Sequence, residues 1–177
     1  MTTPLPENPA AGDFARQREA LRPRLLHRDG MVLVIDKPAG LPVHAGPQAQ
    51  GRVIPVLTHY LEELRFGLPR KPEAAHRLDK DTSGCLVLGR HPRAIALLNA
   101  LFKQGRVGKI YWAIVAGQPE TDEGTIDLPI GKRDEARGWW MMVRDDGMPS
   151  RTHWRVLGRG QIDGAPVAHL ELVPETG

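Results

Sequence analysis

A single cysteine in 177 residues excludes an internal disulfide, and Cys85 lies among apolar neighbours, where a cytoplasmic protein would use it as a small buried hydrophobe. No Cys/His cluster has zinc spacing and no Gly-rich phosphate loop of either common kind occurs, so neither a metal nor a cofactor is expected. No apolar run approaches the length of a membrane span. The start, Met1-Thr2-Thr3-Pro4-Leu5-Pro6-Glu7-Asn8-Pro9, lacks both a basic region and an apolar signal core, which argues against secretion. What is left is the composition of a soluble globular protein, 41% hydrophobic and 25% charged, long enough for one domain with a real core and expected as a monomer.

The net charge is only +3, but it is unevenly placed. Across residues 65–109, ten Lys or Arg face only Glu73, Asp79 and Asp81. A basic middle around few carboxylates is the footprint of a polyanion-binding site, although several of these cations also fit solvated helix faces.

Residues 1–9, rich in Pro and polar groups, are expected to be disordered. A short helix is predicted over 13–21, with Asp13 as N-cap. The apolar β-branched run at 31–35 predicts a central strand. From Val53, the recurrence of Val56, Leu57, Tyr60, Leu61 and Leu64 predicts an amphipathic helix. Cys85-Leu86-Val87-Leu88 predicts a second strand. Pro92 opens a helix with the stripe Ile95, Leu98, Leu101 and Phe102, ending near Gly105. Strands are then predicted over 110–116, 125–128, 139–143, 152–157 and 167–173, with turns at Asp145-Asp146-Gly147 and Asp163-Gly164. Trp112 and Trp154 fall in strand patterns and are expected in the core. Trp139 and Trp140 border a charged hairpin-like stretch and are candidates for stacking on bases. Helices mixed with many antiparallel-looking strands define an α+β class.

The run His76-Arg77-Leu78-Asp79-Lys80-Asp81-Thr82-Ser83-Gly84 carries the most chemistry. Asp79 stands between the cations Arg77 and Lys80, and neighbouring positive charge favours the carboxylate anion. That suits a nucleophile or base acting on a polyanion. The same pattern also fits a charged turn capping a strand. Asp81-Thr82-Ser83-Gly84 has neither the spacing nor the second copy of an aspartic protease motif.

His76-Arg77-Leu78-Asp79, followed two residues later by Thr82-Ser83-Gly84, resembles the catalytic signature of the RluA-type family of RNA pseudouridine synthases. Four further stretches resemble that family in the same order. They are Asp36-Lys37-Pro38-Ala39-Gly40-Leu41-Pro42-Val43-His44, Lys109-Ile110-Tyr111-Trp112-Ala113-Ile114-Val115-Ala116-Gly117, Ser150-Arg151-Thr152-His153-Trp154-Arg155-Val156-Leu157 and Leu170-Glu171-Leu172-Val173-Pro174-Glu175-Thr176-Gly177. The resemblance covers residues 25–177, with 1–24 as an N-terminal segment that is disordered and then briefly helical.

The resemblance implies a pseudouridine synthase fold, a long, mixed and mostly antiparallel sheet with flanking helices around an RNA cleft. It implies a cytoplasmic isomerase that turns uridine into pseudouridine in structured rRNA or tRNA, without cofactor. Asp79 would be the essential catalytic aspartate and Tyr111 the active-site tyrosine that packs on the target ring and helps proton transfer, or else a strand tyrosine filling the core. Arg77 would fill the gap left by the flipped nucleotide, or else pair with Asp79 or Asp81. Lys109 would reach a phosphate or support the pocket, or stand as an exposed strand lysine. His44 would line the cleft or serve structure alone. His76, Thr82 and Ser83 would fix the turn rather than react. In relatives the final block continues into Arg-x-His-Gln-Ile-Arg, whose first arginine pairs with the aspartate. The sequence stops at Gly177, so the C-terminal part of the domain is expected to be missing. A non-catalytic RNA-binding module is therefore the alternative expectation.

Overall fold

The computed structural model describes residues 9–44, 55–133 and 141–176. The chain divides into two compact units, Met1–Gln104 and Gly105–Gly177.

In the first unit, α1 (Pro9–Ala20) leads to β1 (Arg24–Arg28) and β2 (Val32–Lys37). After two 3-10 turns come β3 (Glu73–Ala74), β4 (Gly84–Gly89) and α2 (Pro92–Lys103). The four strands form an antiparallel sheet in the order β1-β2-β4-β3. β2 is internal, as its apolar run predicts. Its register places Leu33 opposite Leu88 and Ile35 opposite Leu86, and all four side chains are fully buried. Side chains alternate across a strand, so this buried face continues from Leu33 and Ile35 to Lys37. The same alternation turns Cys85 outward beside buried Leu86. Cys85 is exposed, contrary to the buried role its apolar neighbours suggest.

α1 begins at Pro9, where a fixed φ suits a first helical turn, so Asp13 lies inside the helix and not at its cap. Most of the stretch expected to be disordered lies outside the described residues. The stripe predicted as a helix from Val53 is buried at Val56, Leu57, Tyr60, Leu61 and Leu64, but it winds as 3-10 turns at Leu57–His59 and Glu63–Arg65. Tethers in its first half tighten it. The Leu57 N–H donates to the Pro42 carbonyl, the Val56 N–H to the His59 ring, and the Tyr60 hydroxyl to the Arg18 carbonyl. Phe66 and Gly67, both at positive φ, end it. α2 begins at Pro92 as predicted, with the His91 ring accepting the Ala94 N–H as cap. Gly89 lets this helix approach: a Cβ there would lie 2.7 Å from the Ile95 amide nitrogen.

In the second unit, β5 (Tyr111–Ala116), β6 (Glu123–Asp127), β7 (Ile130–Lys132), β8 (Met141–Val143), β9 (Arg151–Ile162) and β10 (Ala165–Pro174) follow in turn. Four of them make an antiparallel sheet in the order β5-β10-β9-β6, and β7 pairs with β8 in a two-stranded ribbon. Asp163 and Gly164, at φ 50° and 79°, close the β9–β10 hairpin; two consecutive positive φ values suit the strand twist. Trp154 is half-buried, its indole lying across Gly124 of the neighbouring strand, where a Cβ would come within 2.6 Å of the ring. Trp112 is 71% exposed and not a core residue; it alternates with Tyr111 and Ala113, which take the more buried face of β5. Trp139 and Trp140 lie outside the described residues. The architecture is α+β, and every strand pairing among the described residues is antiparallel.

Candidate active site

The segment that brings Asp79 to the surface is built on β4. The Ala75 N–H donates to the Val87 carbonyl, and the Val87 N–H donates back to Nε2 of His76 at 3.0 Å. That second bond requires an unprotonated Nε2. The His76 ring also stacks on Phe102 of α2, with centroids 4.5 Å apart. His76 thereby ties its segment to both a strand and a helix. Leu78 is buried, so its neighbours Arg77 and Asp79 project outward.

Asp79 opens a turn in which the Thr82 N–H donates to the Asp79 carbonyl at 3.1 Å. Its side chain is 82% exposed, and its ion-pair partner is Arg77, which reaches Oδ1 at 3.4 Å while itself 75% exposed. An exposed pair at that distance holds weakly. Thr82 is half-buried and Ser83 exposed, and neither hydroxyl makes a hydrogen bond among the described residues. The turn is held from behind instead. Lys37, with no exposed surface, donates through Nζ to the carbonyls of Pro38 (3.0 Å), Leu41 (2.8 Å) and Lys80 (3.1 Å). The Gly40 N–H donates to the same Lys80 carbonyl at 2.8 Å, from a backbone at φ 89° that glycine adopts freely. Burial pushes the Lys37 ammonium below its ordinary pKa, and the charges of Asp81 and then Asp79 act in the opposite sense.

The remaining candidates sit apart from this turn in the chain. His44 is exposed at the end of a described stretch. Tyr111 starts β5 opposite Leu172 and is half-buried. Lys109 is half-buried and precedes the strand. The structure thus gathers His76, Arg77, Asp79, Thr82 and Ser83 on one segment of the first unit and carries Tyr111 and Lys109 in the second. A depression of about 330 Å³ on β6, β9 and β10 holds none of them. Its Arg155 is paired with Glu171 at 2.8 Å, and its His153 bonds Thr125 at 2.9 Å.

Lys37 and Gly40 lie within a block that resembles the family, but nothing in the sequence alone marks a role for them. The available signal was the period of two along Leu33, Ile35 and Lys37, which puts a lysine on a buried strand face. Among the described residues no group of three or more His, Cys, Asp or Glu could hold a metal ion, and no helix is long and apolar enough to cross a membrane.

Comparison with known proteins identifies the family. Residues 31–177 match the RNA pseudouridylate synthase family. The chain is 45% identical over 158 residues to an uncharacterized RNA pseudouridine synthase of Zymomonas mobilis, covering 89% of this chain and 68% of that protein. It is 39% identical to the ribosomal large subunit pseudouridine synthase D of Nitrosomonas europaea, across 93% of this chain and 46% of the relative. Among solved structures, the human RNA pseudouridylate synthase domain containing 1 superposes with a TM-score of 0.71 at 28% identity, covering 89% of this chain and 61% of that one. This chain belongs to the RNA pseudouridylate synthase family. It spans less than half the length of several of its curated relatives.

Proposed function

We propose that this chain carries the catalytic aspartate of an RNA pseudouridine synthase that isomerises uridine to pseudouridine in structured rRNA or tRNA of the cytoplasm. The observation that carries the reading is Asp79, outward on a turn whose main chain is bonded from behind, within the family match. The reaction breaks the C1′–N1 glycosidic bond, turns the detached uracil, and joins C5 to C1′. C5 gives up its proton and N1 gains one, so atoms and electrons balance without a redox partner. Asp79 would act at the sugar or the base as nucleophile or as proton acceptor. Taking the base out of a stacked RNA costs roughly a few kcal/mol. The Arg77 guanidinium, planar and held to Asp79 by one long exposed contact, can leave it at little cost and stack in the vacated space. Tyr111 would pack on the uracil ring, and Lys109 and His44 would contact the RNA.

The test is tritium release from 5-tritiated uridine in total RNA, with pseudouridine mapped by sequencing. Asp79→Asn keeps the shape and removes the negative carboxylate. Pseudouridine formation is expected to vanish, while RNA affinity stays at the wild-type value. Substantial turnover by the variant would remove Asp79 from the proposed role.

A further inference from the structure

We propose that Arg28 and Phe66 form a second RNA subsite at the edge of the first unit's sheet, where an unpaired base flanking the target nucleotide stacks on the arginine–phenylalanine pair. This rests on the pseudouridine synthase reading and deepens it with a contact remote from the reacting uridine.

Phe66 is out of place for an apolar residue. The segment that it ends buries Val56, Leu57, Tyr60, Leu61 and Leu64, yet Phe66 itself is 40% exposed. Its backbone lies at φ 47° and ψ 51°, left-handed values that a bulky side chain seldom adopts. The ring is left at the surface with the Arg28 guanidinium carbon 4.6 Å from its centroid. At that separation the cation and the ring attract.

Arg28 is the last residue of β1, an edge strand exposed along its whole length. Apart from the ring, its side chain makes no hydrogen bond or ion pair among the described residues. Neighbouring arginines are committed: Arg24 on the same strand binds Asp36 at 2.9 Å, and Arg65 binds Glu62 at 3.0 Å. Charge alone would suit any polyanion; the plane is what selects a nucleotide. A guanidinium stacks on a base while its N–H groups reach the adjoining phosphate. Arg70 and Lys71, close behind Phe66 in the chain, add exposed cations with no carboxylate partner among the described residues.

The position of the pair fixes which base it could hold. Arg28 lies opposite Leu33 of β2, and β2 runs on to Lys37, which bonds the Lys80 carbonyl next to Asp79. At about 3.3 Å per strand residue this separation is roughly 13 Å, or about four nucleotides of stacked strand. The base on Arg28 is therefore a neighbour of the target, and the reaction itself needs neither side chain.

Filter binding to the intact protein of an oligouridylate of about twelve nucleotides, roughly 40 Å of stacked strand, tests the pair. Phe66→Gly removes the ring, and glycine adopts the left-handed backbone freely, so the fold is expected to stand. Arg28→Lys keeps the charge and removes the plane. Each is expected to weaken binding about 5- to 150-fold, the worth of one stacked base. An abasic ribose phosphate oligomer of the same length should bind wild type and both variants alike. The single-turnover rate at saturating RNA should not change. Variants that bind oligouridylate as tightly as the wild type overturn the proposal and reduce the pair to a staple between β1 and the segment before it. An equal loss on the abasic oligomer also overturns it, since Arg28 would then meet phosphate alone. If Phe66→Gly does not fold, Arg28→Lys decides. A wild type that shows these losses yet forms no pseudouridine would overturn the reaction assignment and leave the subsite standing.

Discussion

Asp29 shows how a single side chain can shape a hairpin and carry a pH signature. Its Oδ1 accepts the N–H groups of Met31 and Val32, each at 2.7 Å, while Oδ2 meets Nε2 of His27 at 3.1 Å. The His27 bond first, then the Val32 and Met31 amides, hold its pKa at about 2. The sign follows from proton counting. The native state binds fewer protons than the unfolded chain, so the stabilisation is complete above the ordinary carboxylate pKa and is lost as pH falls through about 2. Asp29→Asn is therefore expected to lower the melting temperature at neutral pH, with the gap to wild type closing in strongly acid solution. Thermal melts of both proteins from about pH 6 down to about pH 2 read this directly, and a gap that stayed constant would contradict it. Cys85 offers the contrasting lesson at this scale. Its apolar neighbours suggested burial, but the period of two decides orientation, and the residue directly before inward-facing Leu86 looks out.

At the scale of elements, the strands with clear alternation or β-branched runs were legible, as was α2 with its Pro92 start. β1 was not: Arg-Leu-Leu-His-Arg carries charge at both ends and is exposed throughout, so no burial pattern marks it. β3 and β7 are too short to show a period. The 57–65 segment had the correct buried residues but a tighter winding, because hydrophobic spacing fixes a face and not the hydrogen-bond register. The candidate site divides in the same way. The Asp79 segment was legible from its motif, whereas the Lys37 joint links residues 43 apart and becomes visible only in three dimensions. Packing between elements has its own test at Gly89. A Cβ there would sit 2.7 Å from the Ile95 nitrogen and 2.9 Å from its Cα, main-chain atoms at the start of α2 that cannot rotate away. Gly89→Ala is expected to destabilise the first unit by about 1–3 kcal/mol, read as a lower urea midpoint with unchanged slope. An unchanged midpoint would mean that α2 shifts without resistance.

For the whole molecule, charge distribution gives the boldest expectation. Ten of the 24 Lys and Arg fall within residues 65–109, the stretch that also contains Asp79 and, at Arg77, the residue proposed to enter the RNA. Cations clustered about the carboxylate proposed to react would do two things at once: neutralise phosphates and bring a polyanion to the site. Each phosphate neutralised releases counterions, so the logarithm of affinity should fall linearly with the logarithm of salt, with a slope of about −0.7 per contact for single strands and about −0.9 for duplex. Paired substitutions separate such contacts from ion pairs internal to the protein. Arg151 is bound to Asp127 at 2.7 Å and to Glu175 at 3.3 Å, so Arg151→Gln should leave the salt slope of RNA binding unchanged. Arg70 and Lys71 are exposed cations in the basic stretch, and replacing both with Gln should make the slope shallower by one to two contacts, about 0.7–1.8. Filter binding of one RNA across a salt series measures both. The same slope for all three proteins would move the RNA away from the Arg70–Lys71 side of the first unit, while a change confined to Arg151→Gln would place the phosphates on the sheet of the second.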